Sequence, residues 1–203
     1  MIISVISGGP ELDTRHANKL ALQGFIQYVP LRSIRMSTEN LQNREAIEKL
    51  KKLIDKIDIG MVCTFVPQSD YPHAVPMSRQ EVDDNGAIWF LFSAESDTHQ
   101  NLQQNRKVSV LYSDIRDYNF LSINGTAEIS QDQARIDKYW NNMVAAWFEQ
   151  GREDPRIRVL KVTPEDAHYW DNKTNKLVTF LKVAASAVSG KRMDIGREGD
   201  LDL

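Results

Sequence analysis

The string Asp83-Asp84-Asn85-Gly86 constrains this chain more than any other feature of its sequence. Asn-Gly suits the positive φ angles of a type I′ turn, and apolar runs flank it on both sides. The chain is therefore expected to double back there as a β-hairpin. His73–Gln80 enters the turn, and Ala87–Ser93 (AIWFLFS) leaves it as a buried strand. Gly60–Val66 precedes the pair, separated by a Pro/Ser/Asp loop. Lys107–Ser113 and Tyr118–Ile129 follow it, the second interrupted at Asn124-Gly125. Arg156–Val162 adds a sixth run, and Thr163-Pro164-Glu165-Asp166 reads as a turn into His168–Asp171. Strands this close in sequence pair mainly antiparallel, and a barrel closes them with few edges.

Helical spacing appears on either side of this block. Ala46, Ile47, Leu50, Leu53, Ile54 and Ile57 recur as one face of an amphipathic helix over 43–57. Glu45–Lys49 and Glu48–Lys52 supply i,i+4 pairs on its wet side. Ser96–Asn105 is expected to be a short helix capped by Ser96 or Asp97. Ser130-Gln131-Asp132-Gln133 matches a capping box and predicts a helix from about Asp132 to Glu149, with Trp140 and Trp147 on one face. Leu177–Ser189 reads as helical and ends at Gly190; the tail from Met193 is rich in Gly and Asp. The fold class is α+β.

The first 35 residues differ from the rest. Arg15, Lys19, Arg32 and Arg35 outnumber Glu11 and Asp13, no period is sustained, and Gly8-Gly9-Pro10 breaks the apolar opening. Met36 is followed by Ser37-Thr38-Glu39-Asn40, which resembles an ordinary protein start. Residues 1–35 are thus expected to be an unstructured extension read from an upstream start codon, and 36–203 a single domain. A mitochondrial-type presequence is the weaker alternative, since such segments avoid acids.

Composition excludes several classes of function. Net charge −3 over 203 residues and a pI of about 5.8 argue against the basic face that nonspecific nucleic-acid binding needs. No apolar run approaches the roughly 18–20 residues of a membrane helix. The one cysteine, Cys63, cannot form an internal disulfide, and a reducing, cytoplasmic compartment is the natural reading. His16, His73, His99 and His168 are scattered, without metal-ligand spacing. There is no P-loop, no dinucleotide fingerprint and no G-x-S-x-G elbow.

What remains is a strand–hairpin–strand–helix segment with polar groups in unusual places. His73-Ala74-Val75-Pro76-Met77-Ser78 puts a proline and two hydrogen-bonding groups on a strand otherwise fit for burial, which implies an edge or an interrupted ladder. Phe92-Ser93 ends the next strand. Ser96-Asp97-Thr98-His99 opens a helix whose free N–H groups and dipole favour a phosphate.

In their order these strings resemble the flavin-binding split-barrel proteins related to pyridoxamine 5′-phosphate oxidase, within them the general stress protein branch. The matching segments are HAVPMS (73–78), AIWFLFSAESDTHQNLQQN (87–105), VSVLYSD (108–114), YNFLSINGTAEI (118–129), WFEQGREDPRIRVLKVTP (147–164) and AHYWD (167–171). The resemblance covers about residues 43–190.

It implies a six-stranded, mainly antiparallel split β-barrel with flanking helices, paired as a homodimer with FMN in clefts at the subunit interface. Residues 73–78, hence His73, Pro76, Met77 and Ser78, would lie along the ribityl chain and flavin ring. Phe92 and Ser93 would line the next strand, and Ser96 and Thr98 would face the phosphate. Trp170 would approach the flavin from the partner subunit. The implied activity is that of a flavin-dependent oxidoreductase with a small-molecule redox partner, with no catalytic side chain assigned. The alternatives are a pyridoxamine or pyridoxine 5′-phosphate oxidase and a non-enzymatic flavin-binding stress protein. The first is disfavoured because those oxidases carry Arg at the place of His73, Lys at Ser78 and Arg-Lys at Asp97-Thr98.

Overall fold

In the computed structural model, which describes residues 34–66, 69–172 and 193–203, six antiparallel strands close on one another as a barrel. They are β3 (Ile59–Phe65), β4 (Pro72–Val82), β5 (Ile88–Ser93), β6 (Lys107–Asp114), β7 (Asn119–Ser130) and β8 (Ile157–Asn172). The order is β8-β5-β4-β3-β6-β7, and the pairing of β7 with β8 completes the ring. This is the split-barrel architecture expected from the sequence. Three further strands extend it: β1 (Ile34–Thr38) and β2 (Leu41–Gln42) run parallel to β9 (Met193–Asp202), which pairs antiparallel with the second half of β8. The extension expected over residues 1–35 lies outside the described residues except for Ile34 and Arg35, which open β1. The helix expected over 177–189 also lies outside them.

The core follows from alternation. Val62, Phe90, Val110, Ile123, Leu160 and Val162 are fully buried inside the barrel. Helix α1 (Asn43–Ile54) covers one opening with Ala46, Leu50, Leu53 and Ile54. Burying each of its larger side chains contributes about 1.5–3 kcal/mol, which is ample to hold a helix whose N-cap, Gln42, makes no side-chain capping bond. A second cluster lies on the outer face of β5 and β8, where Trp89, Ile157 and Val159 pack beneath Ile136, Tyr139, Val144 and Phe148.

Three local expectations need correction. The Asp83–Gly86 turn is not type I′: only Gly86 takes a positive φ, +82°. Gly86 N–H donates to Asp83 O, and Asp83 N–H to Ala87 O, the pattern of a three-residue loop with a glycine bulge. The helix expected from Asp132 to Glu149 is two short ones, α3 (Gln133–Tyr139) and α4 (Asn142–Ala145). Asp132, not Ser130, caps α3, and Asn141 stops its continuation by accepting from Met143 and Val144 N–H. Trp140 and Trp147 therefore share no helix face. Residues 163–166 make no turn, because β8 continues through them with a bulge at Glu165; among the described residues, Pro164 falls where β8 has β7 as its only neighbour, between the end of β5 pairing at Val162 and the start of β9 pairing at Asp166. Such an edge-like position tolerates a strand proline. The Gly- and Asp-rich tail, for which no element was expected, forms strand β9.

Candidate functional site

The barrel is open between β4 and β5. Their pairing spans only Arg79–Val82 on β4 and Ile88–Phe90 on β5, so Pro72–Ser78 has β3 alone as a neighbour. The interrupted ladder that Pro76 implied is therefore present. Beyond this split, β5 continues to Ser93 against β8, and the chain turns into α2 (Asp97–Gln104). Ser93 O accepts from Ser96 N–H and Oγ, and Ser96 Oγ caps the helix by accepting from His99 N–H. The first-turn N–H groups of Asp97 and Thr98 have no intrahelical acceptor, as at any helix start.

Two contacts fix α2 at the mouth of the gap. Asn101 Nδ2 donates to Thr64 Oγ1 on β3 at 3.1 Å, both residues being buried, and Thr64 Oγ1 donates to His73 O at 3.4 Å. His73 Nε2 lies 3.9 Å from Asp97 Oδ2, while its Nδ1 is buried and has no hydrogen-bond partner among the described residues. Phe92 packs its ring 6.0 Å from that of His99. His99 is held below its ordinary pKa, first by burial and then by the positive charge of Arg158.

The nine residues anticipated from sequence divide into four groups. His73, Phe92, Ser93, Ser96 and Thr98 meet around the N-terminus of α2. Pro76 and Ser78 lie on the outward-facing side of β4, opposite Met61 and Ile59. Met77 points the other way, into the core, and is 9% exposed. Trp170 stands twelve residues beyond Arg158 on β8, roughly 40 Å of extended chain, so within one chain it does not join the others. It stacks edge-on against His168 at 4.5 Å, and His168 Nδ1 bonds Asp200 Oδ1 on β9 at 2.6 Å. Sequence reasoning missed Thr64, Asn101 and Arg158. Nothing in the sequence distinguished them, since a Thr in a strand, an Asn in a polar helix and an Arg at a strand start are all commonplace.

The outer face of β3 and its neighbours is apolar. Ile59, Met61 and Phe65 project from β3 and Leu111 from β6, each well exposed, beside Ala74 and Pro76 of β4. Cys63 is on the same side, but it is buried, and burial pushes its thiol pKa up.

The family pattern described as pyridoxamine 5′-phosphate oxidase like matches residues 45–194. The chain belongs to this family. It is similar to General stress protein 26 of Bacillus subtilis (strain 168), 24% identical over 129 residues, which cover 62% of this chain and 89% of that protein. Protein bli-3 of Neurospora crassa is 27% identical over 124 residues, which cover 56% of this chain and only 59% of bli-3. Among solved structures, the general stress FMN/FAD binding protein of the phytopathogen Xanthomonas citri is 32% identical, covers 66% of this chain and 93% of its own, and superposes with a TM-score of 0.56. Strands β1 and β2 and most of β9 lie outside the family match. Among the described residues no helix is long and apolar enough to cross a membrane, and no cluster of His, Cys, Asp or Glu could hold a metal ion.

Proposed function

We propose that this chain is an FMN-binding flavoprotein of the general stress protein type, acting as a homodimeric, cytoplasmic oxidoreductase on a small-molecule redox partner. The observation that carries the reading is the mouth between β4 and β5. There His73 Nδ1 is buried and unpartnered beside the start of α2, whose free N–H groups point to an anion. These groups fit a phosphate ester: Ser96 shapes the helix start, Asp97 and Thr98 offer backbone donors, and the neighbouring carboxylates of Glu95 and Asp97 are mostly in solvent. Family membership and the FMN/FAD-binding relative support the choice of flavin.

Bound flavin would supply the hydride chemistry, leaving the protein to bind, orient and exclude water. Phe92 would wall the mouth, and Pro76 and Ser78 would lie along the outer strand. The apolar strip of Ile59, Met61, Phe65 and Leu111 is of the kind that marks an association surface, and a second copy is the proposed occupant. Such a partner would also bring its own Trp170 toward the flavin, which one chain cannot do. The neutral Ser78, with His73 and Asp97-Thr98 where the oxidases have basic residues, argues against oxidation of pyridoxamine 5′-phosphate.

The test is an FMN titration of purified protein, followed by absorbance and by quenching of flavin fluorescence, with molar mass from light scattering. One flavin per subunit on a dimer is expected, bleached anaerobically by a reduced nicotinamide. Absence of binding at micromolar FMN would end the flavin reading. Binding without reduction by any tested donor would leave a non-enzymatic flavin carrier. Pyridoxal phosphate formation should be absent.

A further inference from the structure

Arg158 is an unusual arginine. It opens β8 directly across from Phe92 on β5, on the inward face, with Phe92 in turn beside His99 on the first turn of α2. The neighbouring register is fixed by Ala94 N–H donating to Arg156 O at 2.8 Å, so the start of β8 runs alongside the loop that leads into α2. Arg158 Nη1 donates to two backbone carbonyls, Pro155 O and Ile157 O, both at 2.8 Å. These bonds hold the guanidinium in place without neutralising it.

Its charge is unmatched among the described residues. Among the described residues, the partly buried Arg79, Arg135, Arg156 and Arg197 each have a carboxylate oxygen within 4.0 Å. Arg158 is partly buried and has none. Its positive charge adds to the larger effect of burial in holding the pKa of His99 down. A guanidinium fork half withdrawn from water and lacking a counter-ion is suited to bidentate recognition of phosphate.

We infer that Arg158 is the charge-assisted ligand of the flavin phosphate and the residue by which this chain distinguishes FMN from riboflavin. The inference rests on the flavin reading above. It assigns the phosphate's main donor to β8, across the mouth from His73, and it explains how the site functions with neutral or acidic residues at Ser78, Asp97 and Thr98.

The experiment measures the Kd of FMN and of riboflavin for the wild-type protein, Arg158→Met and Arg158→Lys, with far-UV circular dichroism on each. Arg158→Met should weaken FMN roughly ten- to hundred-fold and leave riboflavin unchanged, so that the two flavins bind alike. Arg158→Lys, which keeps the charge but not the fork, should fall between and guards against misfolding of the first variant. Equal weakening of both flavins would assign Arg158 a structural role and overturn the inference. So would a wild-type protein that binds FMN and riboflavin equally, with the flavin reading intact. A wild-type protein that binds neither would remove both.

Discussion

Gly60→Ala tests how the barrel interior is packed. Gly60 is on β3 opposite Met77, and a Cβ there would lie 2.8 Å from Tyr112 Cε1, 2.9 Å from Tyr112 Cζ and 3.1 Å from Val110 Cγ1. Carbon atoms rest at about 3.5–4.0 Å, so the Tyr112 ring must retreat by several tenths of an ångström. It has nowhere easy to go: Tyr112 is 1% exposed and Val110 fully buried. Overpacking of this kind costs about 1–3 kcal/mol, while replacing a strand glycine by alanine returns about 0.5–1 kcal/mol. The net expectation is a loss of about 1–2 kcal/mol, or a Tm lower by about 2–8 °C for a domain of this size. Urea unfolding followed by circular dichroism measures it, with all variants compared at the same flavin loading because a bound ligand shifts apparent stability. The decisive comparison repeats the substitution in a Tyr112→Leu background, where the clashing ring is gone and Gly60→Ala should be neutral or slightly stabilising. An unchanged penalty in that background, or a neutral Gly60→Ala in the wild type, would refute the packing account.

Three other outcomes follow from the packing and hydrogen bonds of the fold. Tyr112→Phe should be neutral or stabilising by up to about 1 kcal/mol, because the buried Tyr112 hydroxyl has no partner among the described residues; a midpoint loss above that size would show that the hydroxyl is satisfied. Asn101→Ala removes the donor to Thr64 Oγ1 but leaves Thr64 its bond to His73 O, so it should cost about 1–2 kcal/mol and also weaken FMN by loosening α2, both read from urea and flavin titrations. Asp154 accepts from Arg156 Nη2, Nε and N–H and from Gln150 N–H, and the Arg156 side chain chiefly holds its carboxyl well below the usual range. A carboxyl depressed in the folded state stabilises it above the unfolded-state pKa of about 3.9 and loses that contribution as pH falls through and below it. Wild-type urea midpoints should therefore decline more steeply than those of Asp154→Asn below about pH 4, and parallel declines would contradict the assignment.

The strands were legible because their signal is local. β3 to β7 appear within a few residues of their apolar runs, and Ser96 caps α2 as its position suggested. The errors arose where neighbours decided. Val144 and Phe148 are four apart and both buried, so the helical period runs on past Tyr139, yet Asn141 captures two backbone N–H groups and restarts the helix. Thr163-Pro164 looks like a turn until β5 and β9 are seen to flank β8 on either side of it. The tail's glycines carry no strand signal of their own. At Gly199, however, a Cβ would stand 1.9 Å from Glu39 O, so that glycine is there to let the chain between β1 and β2 approach. Glu39 then accepts from Arg197 Nη1 and Tyr169 Oη, contacts spanning some 130 residues or more that no sequence window contains.

The candidate site shows the same division more sharply. The residues read from motifs, Ser93, Ser96 and Thr98, are those whose position is set by a helix start, and a helix start is written in its own few residues. Arg158 is invisible because β8 is buried on both faces: Ile157 and Val159 face the outer cluster while Leu160 and Val162 face the barrel. Two-sided burial erases the period-two pattern from which a side chain's direction could be read. Only the cross-strand pairing with Phe92 reveals that Arg158 turns inward at the mouth. Charge pairing carries the further step, because whether an arginine is neutralised depends on which carboxylates the fold brings within 4.0 Å of it. Arg156 and Arg135 have partners two and three residues away, Asp154 and Asp132, whereas Arg79 reaches Asp55 and Asp58 ahead of β3 and Arg197 reaches Glu39 between β1 and β2. An unmatched arginine can be recognised only after the matched ones have been accounted for in three dimensions, and that is why the most informative cation of the site had no signature in the sequence.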